Sequence, residues 1–244
     1  MSKYYGLLPA AGLATRMRPF RYPKELLPVH YQVVNEVDYV RPKLLIEHSL
    51  EALSLAAVKD LYIVVPEWKP EIMRYLEDGE QFGHNISYLY NSKALGLADA
   101  LLSGYPWLHD KNTCFAMPDT VFSPATAFED IIRELENKNA DLVLGVFPTD
   151  EAQHFAPVEF DDDGKVLNIW EKPEVPKVNN AWGIAVWNSI FWDFFKSGSE
   201  GLEPGISITD TFKRAAQNGL KVYCVYFTDG WYKDIGRINN ISFK

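Results

Sequence analysis

Four cations fall within nine positions: Arg16, Arg18, Arg21 and Lys24. They follow an apolar run, Tyr4–Leu8, and a turn of small residues, Pro9-Ala10-Ala11-Gly12. Small side chains let backbone N–H groups approach an anion closely. A guanidinium such as Arg16 grips phosphate oxygens bidentately, and Lys24 adds a second positive charge. Residues 1–24 carry +5 and no acid; with −9 overall, the other 220 residues carry −14. An acidic chain with one basic mouth suits a small polyanion. A solvated loop of scattered charges is the competing reading.

Other groups with chemical potential lie far along the chain. Asp119 stands in Met117-Pro118-Asp119, at the end of an apolar run. Asp234 stands in Trp231-Tyr232-Lys233-Asp234-Ile235-Gly236, and Glu171-Lys172-Pro173 follows Trp170. Taken singly, each also reads as a turn or a surface pair. The opening turn is neither GxxxxGK[ST] nor GxGxxG. HExxH and GxSxG are absent, and the five histidines have no ligand spacing.

The elements that must position these groups are legible as alternating patterns. Tyr4–Leu8, Leu61–Val65, Ile86–Tyr90, Thr113–Met117 and Asp141–Phe147 read as strands. Leu44–Ala57, Pro70–Glu77, Leu97–Tyr105 and Ala125–Asn137 read as helices between them. Such β-α alternation predicts an α/β fold with a doubly wound, mostly parallel sheet. In such sheets ligands bind beyond the carboxyl ends of the strands, where the basic loop falls.

After residue 150 the rhythm changes. Val158–Phe160 and Val166–Trp170 flank Asp161-Asp162-Asp163-Gly164, a hairpin pattern. Ile184–Trp187 reads as a strand, Phe191–Phe195 and Ile208–Asn218 as helices, and Val222–Phe227 as the final strand. The reading is one domain over 1–244, a core over about 1–150 with a β-rich insertion over about 151–230 that forms a lid or wall.

Composition narrows the classes further. The chain has 244 residues, 47% apolar and 23% charged, ordinary for a globular protein with a core. General nucleic-acid and anionic-membrane binders are usually basic, so neither partner is expected here. No apolar run approaches the ~18 residues that span a bilayer. The opening residues read as a strand rather than a signal peptide, so the expected location is the cytoplasm. Cys114 and Cys224 are too far apart for a CxxC site and are expected as buried strand residues.

The segment Ala10-Ala11-Gly12-Leu13-Ala14-Thr15-Arg16 with Pro23-Lys24-Glu25-Leu26-Leu27-Pro28 resembles the signature of the sugar-1-phosphate nucleotidyltransferases, which include glucose-1-phosphate uridylyl- and thymidylyltransferases. Later motifs agree in order: Leu95-Gly96-Leu97-Ala98-Asp99-Ala100, Met117-Pro118-Asp119, the hairpin ending in Glu171-Lys172-Pro173, Ile208-Thr209-Asp210 and the segment around Asp234. The resemblance spans nearly the whole chain. It implies a Rossmann-like fold in which Ala11, Gly12, Thr15 and Arg16 hold a triphosphate and Lys24 sits near the reacting α-phosphate. Gly96 would pack under the base, and Asn91, five positions earlier, would read it. Asp119 and Asp234 would share Mg²⁺. Glu171 would bind sugar hydroxyls and Lys172 the sugar phosphate. Trp182 and Trp231, beside motif positions, would border the sugar.

Relatives often have Gly where this chain has Ala14, and Gln where it has Asn91. Phe155-Ala156-Pro157 replaces an aromatic-Gly pair, and His30–Lys43 is a longer connection than usual. The chain ends ten residues after Asp234, without the helical tail of long thymidylyltransferases; a monomer or small homo-oligomer is expected. The implied reaction joins a sugar 1-phosphate to a nucleoside triphosphate, with UTP or dTTP favoured, and releases pyrophosphate. Two alternatives stay open: a cytidylyltransferase for a non-sugar phosphate such as phosphocholine, and a non-catalytic regulator that binds nucleotide or sugar phosphate.

Overall fold

A computed structural model describes residues 3–12, 22–34, 39–93, 95–199 and 207–235. The chain opens with β1 (Tyr4–Pro9). Two strands, β2 (Pro28–Val34) and β3 (Tyr39–Leu44), precede α1 (Leu45–Leu55). Then come β4 (Asp60–Val65), α2 (Pro70–Leu76), β5 (Asn85–Tyr90) and the short helices α3 (Leu97–Leu102) and α4 (Tyr105–Leu108). β6 (Asn112–Ala116), β7 (Thr120–Ser123), α5 (Ala127–Asn137) and β8 (Leu142–Pro148) complete the first part. The second holds β9 (Val158–Phe160), β10 (Val166–Ile169), β11 (Asn180–Trp187), α6 (Ser189–Ser199), α7 (Ile208–Gln217), β12 (Val222–Tyr226) and β13 (Trp231–Asp234).

Seven strands form one sheet in the order β12-β8-β11-β6-β1-β4-β5. β6, β1, β4 and β5 are mutually parallel, as are β8 and β12. β11 runs antiparallel to both neighbours, β6 and β8. The fold is thus the α/β, mostly parallel sheet that the alternation predicts. The period of two along each strand feeds two cores. Leu8, Ile63 and Val143 point to the face covered by α1, α2 and α5, while Leu7, Val64 and Leu144 point to the face covered by α3, α6 and α7. Cys114 and Cys224 are buried free thiols in β6 and β12. Among the described residues no helix is long and apolar enough to cross a membrane.

Two local readings need correction, and the long His30–Lys43 connection takes a definite form. The expected helix Leu97–Tyr105 is two helices, α3 and α4, and the second restarts with Pro106 in its first turn, where a missing N–H does no harm. The connection containing His30–Lys43 is an antiparallel ribbon, β2–β3. Leu45 N–H bonds Leu27 O at 2.9 Å, which fixes the base of that ribbon and holds the Lys24–Leu26 turn at one end of α1. Val222–Phe227 is not the last strand: β13 follows and pairs antiparallel with β7.

The hairpin read between 158 and 170 is β9–β10. The Asp161 carboxylate accepts from the backbone N–H groups of Asp163 (3.0 Å) and Lys165 (2.9 Å). Gly164 takes φ +78°, and a Cβ there would lie 2.8 Å from Cys224 O. The turn therefore needs glycine twice over, for its left-handed backbone and for its contact with β12.

Candidate active site

Two adjoining cavities open beyond the carboxyl ends of β1 and β6. The first, about 310 Å³, is lined by Pro9, Ala11, Gly12, Lys24, Glu25, Gly96, Leu97, Ala100, Met117 and Asp119. The second, about 410 Å³, shares Gly96, Leu97, Met117 and Asp119 and adds Phe155, Glu171, Lys172, Trp182, Ser207, Thr209, Tyr232 and Asp234, among others. Asp119 and Gly96 thus stand at the junction of one cleft.

Each junction residue has a local cause. Gly96 precedes α3 with φ +127° and ψ 178°, a region open essentially to glycine alone. Lys24 sits in the short turn at the base of the β2–β3 ribbon, and its ammonium forms an ion pair with the Asp119 carboxylate. Burial is the largest single influence and pulls the Lys24 ammonium down, but the charge and hydrogen bond of Asp119 with the charges of Glu25 and Asp234 together outweigh it, so its pKa lies above the ordinary value. Lys24 is therefore a cation at any physiological pH.

Asp234 is brought beside Asp119 by strand register. β13 pairs with β7 so that Asp234 lies opposite Thr120, and Ile235 N–H bonds Asp119 O at 3.3 Å. Tyr232 anchors this ribbon: its ring stacks on Phe147 at 5.9 Å, and a Cβ on Gly183 would come within 2.4 Å of it. Burial, with Asp234 and Asp119 nearby, pushes the Tyr232 hydroxyl well above its usual pKa, so it stays neutral. No group of three or more metal-type ligands occurs among the described residues. Two carboxylates facing one cleft nevertheless fit Mg²⁺, which takes one or two carboxylates and completes its shell with phosphate and water.

The second cavity gathers the remaining motif residues. Ser207 caps α7 by accepting from Thr209 N–H at 3.1 Å, and its hydroxyl donates to Glu171 Oε2 at 3.1 Å. Glu171 Oε1 lies 3.2 Å from Lys172 Nζ. Lys172 has φ +45°, with its N–H bonded to Phe155 O at 2.9 Å; left-handed backbone at a non-glycine residue is strain that often marks a functional site. Trp182 is 6% exposed, donates its indole N–H to Thr209 Oγ1 at 3.3 Å and meets Phe212 edge-on.

Of the residues singled out by sequence, the cleft brings together Ala11, Gly12, Lys24, Gly96, Asp119, Glu171, Lys172, Trp182 and Asp234. Thr15 and Arg16 lie outside the described residues. Asn91 does not line the cleft. Its carboxamide donates to Asp99 Oδ2 (2.9 Å) and Ser103 Oγ (3.0 Å) and accepts from Lys93 N–H (3.2 Å), so a base edge would have to displace these partners. Trp231 is not a lining residue either; it is 41% exposed, with the Lys233 ammonium over its ring. Glu25, Ser207, Thr209 and Tyr232 were not singled out. Ser207 carries a signal, as a capping serine at the start of a helical pattern; Glu25, Thr209 and Tyr232 carry none apart from their motifs.

Comparison with known proteins follows the same outline. The model of the family described as Nucleotidyl transferase matches residues 6–242. The low-salt glycan biosynthesis nucleotidyltransferase Agl11 of Haloferax volcanii is 24% identical over 240 residues, 97% of this chain and 63% of that protein. A glucose-1-phosphate thymidylyltransferase of Streptomyces griseus is 28% identical over 238 residues, covering 96% and 63%. The chain spans less than two thirds of the length of these relatives. A crystal structure from Bacillus anthracis, assigned as a glucose-1-phosphate thymidylyltransferase and containing sucrose, superposes with TM-score 0.84 at 22% identity, over 97% of this chain and 92% of that one; this likeness shows the fold. With its family match spanning nearly every residue, the chain belongs to the nucleotidyl transferase family.

Proposed function

We propose that the chain transfers a nucleotidyl group from a nucleoside triphosphate, UTP or dTTP, to a sugar 1-phosphate, giving an NDP-sugar and pyrophosphate. The observation that carries this reading is the junction: one cation, Lys24, and two carboxylates, Asp119 and Asp234, where the cavity under Gly96 meets the cavity holding Glu171 and Lys172. The thymidylyltransferase relatives point the same way. The whole chain acts as one domain, nucleotide on the side of about 1–150 and sugar on the side of about 151–230. It works in the cytoplasm as a monomer or small homo-oligomer, on small molecules and without nucleic acid or membrane.

The chemistry asks little of the protein beyond positioning and charge. A phosphomonoester has its second pKa near ~6, so the acceptor is mainly a dianion at neutral pH and needs no general base. One of its oxygens bonds to the α-phosphorus as the bond from that phosphorus to the bridging oxygen breaks, and pyrophosphate leaves with the electron pair. Repulsion between the two anions is the main barrier. Ala11 and Gly12 let the triphosphate approach the backbone, and Arg16 and Lys24 neutralise it. Lys172 holds the acceptor phosphate in line, and Glu171, oriented by Ser207, accepts from its hydroxyls. Mg²⁺, held by Asp119 and Asp234, supplies further positive charge to the phosphate oxygens when bound.

The aromatic side chains of Phe155, Trp182 and Tyr232 around the acceptor cavity, with Glu171, also suit a quaternary ammonium. The test is pyrophosphate release with each common nucleoside triphosphate crossed against sugar 1-phosphates and phosphocholine, with Mg²⁺ and after its chelation. Release with UTP or dTTP and a sugar 1-phosphate, abolished by chelation, is expected. Release only with CTP and phosphocholine selects the second reading. Nucleotide binding without any release makes the protein a regulator and refutes both.

A further inference from the structure

Lys69 is 4% exposed, in the loop between β4 and α2. Lysine is almost never so buried unless it is paired. Its ammonium donates to Glu25 Oε1 at 2.7 Å and to Ala10 O at 2.9 Å. These two partners belong to different segments. Ala10 begins the small-residue turn after β1, while Glu25 follows Lys24 in the turn at the ribbon base. Glu25, Ala11 and Gly12 line the first cavity; Lys69 does not.

We infer that Lys69 is a positioning residue for the nucleotide: it ties the Ala10–Gly12 turn to the Lys24–Glu25 turn and so sets the spacing of the groups that meet the triphosphate. The inference rests on the reading of the first cavity as the nucleoside triphosphate site. Stability alone is a poor account of the pair. Burying two charges is costly, and well-packed apolar residues are often as stable or more so. Here the arrangement is worse than most, because Glu25 Oε2 is buried with no hydrogen-bond partner among the described residues. What the ion pair provides is a fixed geometry. A carboxylate beside the cavity would otherwise face the incoming phosphates, and Lys69 holds it to one side. Small displacements of such a frame are kinetically large, since about 1 Å of misplacement can lower rates by ~10²-fold.

The test compares Lys69→Arg, Lys69→Met and Lys69→Met combined with Glu25→Gln. The double variant removes the uncompensated buried charge, so it folds even where Lys69→Met does not. The expected result is a double variant with wild-type melting temperature but a KM for the triphosphate raised about ten- to a hundredfold, while KM for the acceptor changes less than about threefold. Lys69→Arg, which keeps a cation and two donors, should retain most of the triphosphate affinity. Recovery of wild-type triphosphate KM in the double variant would overturn the inference, because Lys69 would then only compensate a charge; so would an equal rise in both KM values, the mark of a general loss of structure. If the wild type releases no pyrophosphate from any triphosphate, the functional reading fails separately. Calorimetric binding of dTTP and UTP to wild type and double variant then decides the role of Lys69, with equal affinities, or none in either protein, overturning it.

Discussion

Replacing Gly96 with alanine isolates the backbone at the junction of the two cavities. With φ +127° and ψ 178°, the residue occupies a region that costs a side-chain-bearing residue about 1–3 kcal/mol. That free energy has two places to appear. If the loop stays where it is, the folded state loses all of it; at about 2–4 °C per kcal/mol for a chain of this size, melting falls by about 2–12 °C. If the loop relaxes instead, the folded state is spared and binding must restore the strained form. At 1.4 kcal/mol per tenfold, triphosphate KM then rises about 5- to 150-fold. The two effects should sum to the same 1–3 kcal/mol. Gly12→Ala is the control: among the described residues a Cβ there meets nothing within 4 Å, and no left-handed backbone is involved, so melting should not move and only a close phosphate would sense the methyl group. Scanning calorimetry and steady-state pyrophosphate release measure both quantities. A Gly96→Ala protein with unchanged melting and unchanged triphosphate KM would refute the argument that this backbone conformation shapes the site.

Trp182→Ala should cost about 3–5 kcal/mol of stability, as large aromatic truncations do, and raise acceptor KM; a normal acceptor KM in a folded protein would remove Trp182 from the acceptor cavity. Asn91→Ala should loosen the loop before α3 without changing the ratio of kcat/KM for UTP, dTTP and CTP; a changed ratio would mean that its carboxamide turns to the base after all. Glu47, clasped by Arg41 (2.7 and 3.0 Å), Tyr75 OH (2.7 Å) and Leu44 N–H (2.9 Å), is pushed up by burial but held below its ordinary 4.5 by these partners together. A lowered folded-state pKa stabilises above pH 4.5 and is lost as pH falls. Glu47→Gln should therefore be less stable at pH 7 and should lose less stability than wild type on acidification below pH 4.5, as measured by denaturant titration.

Reading the sequence recovered what local pattern encodes. β1, β4, β6 and β8 are runs of apolar residues because both faces of the central sheet are covered by helices, and α1 and α5 show their apolar faces plainly. The cleft residues at strand ends were legible for the same reason: they interrupt these runs at the carboxyl end. Long-range pairing was not legible. Nothing within Asn180–Trp187 says that β11 inserts antiparallel between β6 and β8. Thr120–Ser123 and Trp231–Asp234 are too short to show a period, and each needs the other across more than 100 positions to become a strand. Asn91 was assigned by its distance from Gly96, but spacing cannot show that Asp99 and Ser103, on the following helical turns, claim its amide. Lys69 beside Pro70 reads as an ordinary loop lysine until its burial is seen.

The β7–β13 ribbon ties the working life of the site to a very small cooperative unit. β13 is four residues long and pairs, among the described strands, only with β7. Trp231 and Lys233 are exposed, so Tyr232, seated in the hollow left by Gly183, is its main apolar hold. Opening such a unit uncovers little apolar surface, and its free energy lies far below that of unfolding the seven-stranded sheet. Asp234 departs with it, leaving Asp119 to Lys24 alone. If Asp234 holds the metal as proposed, fraying of this ribbon would remove it while the core is intact, and pyrophosphate release should then fail on warming before the sheet unfolds.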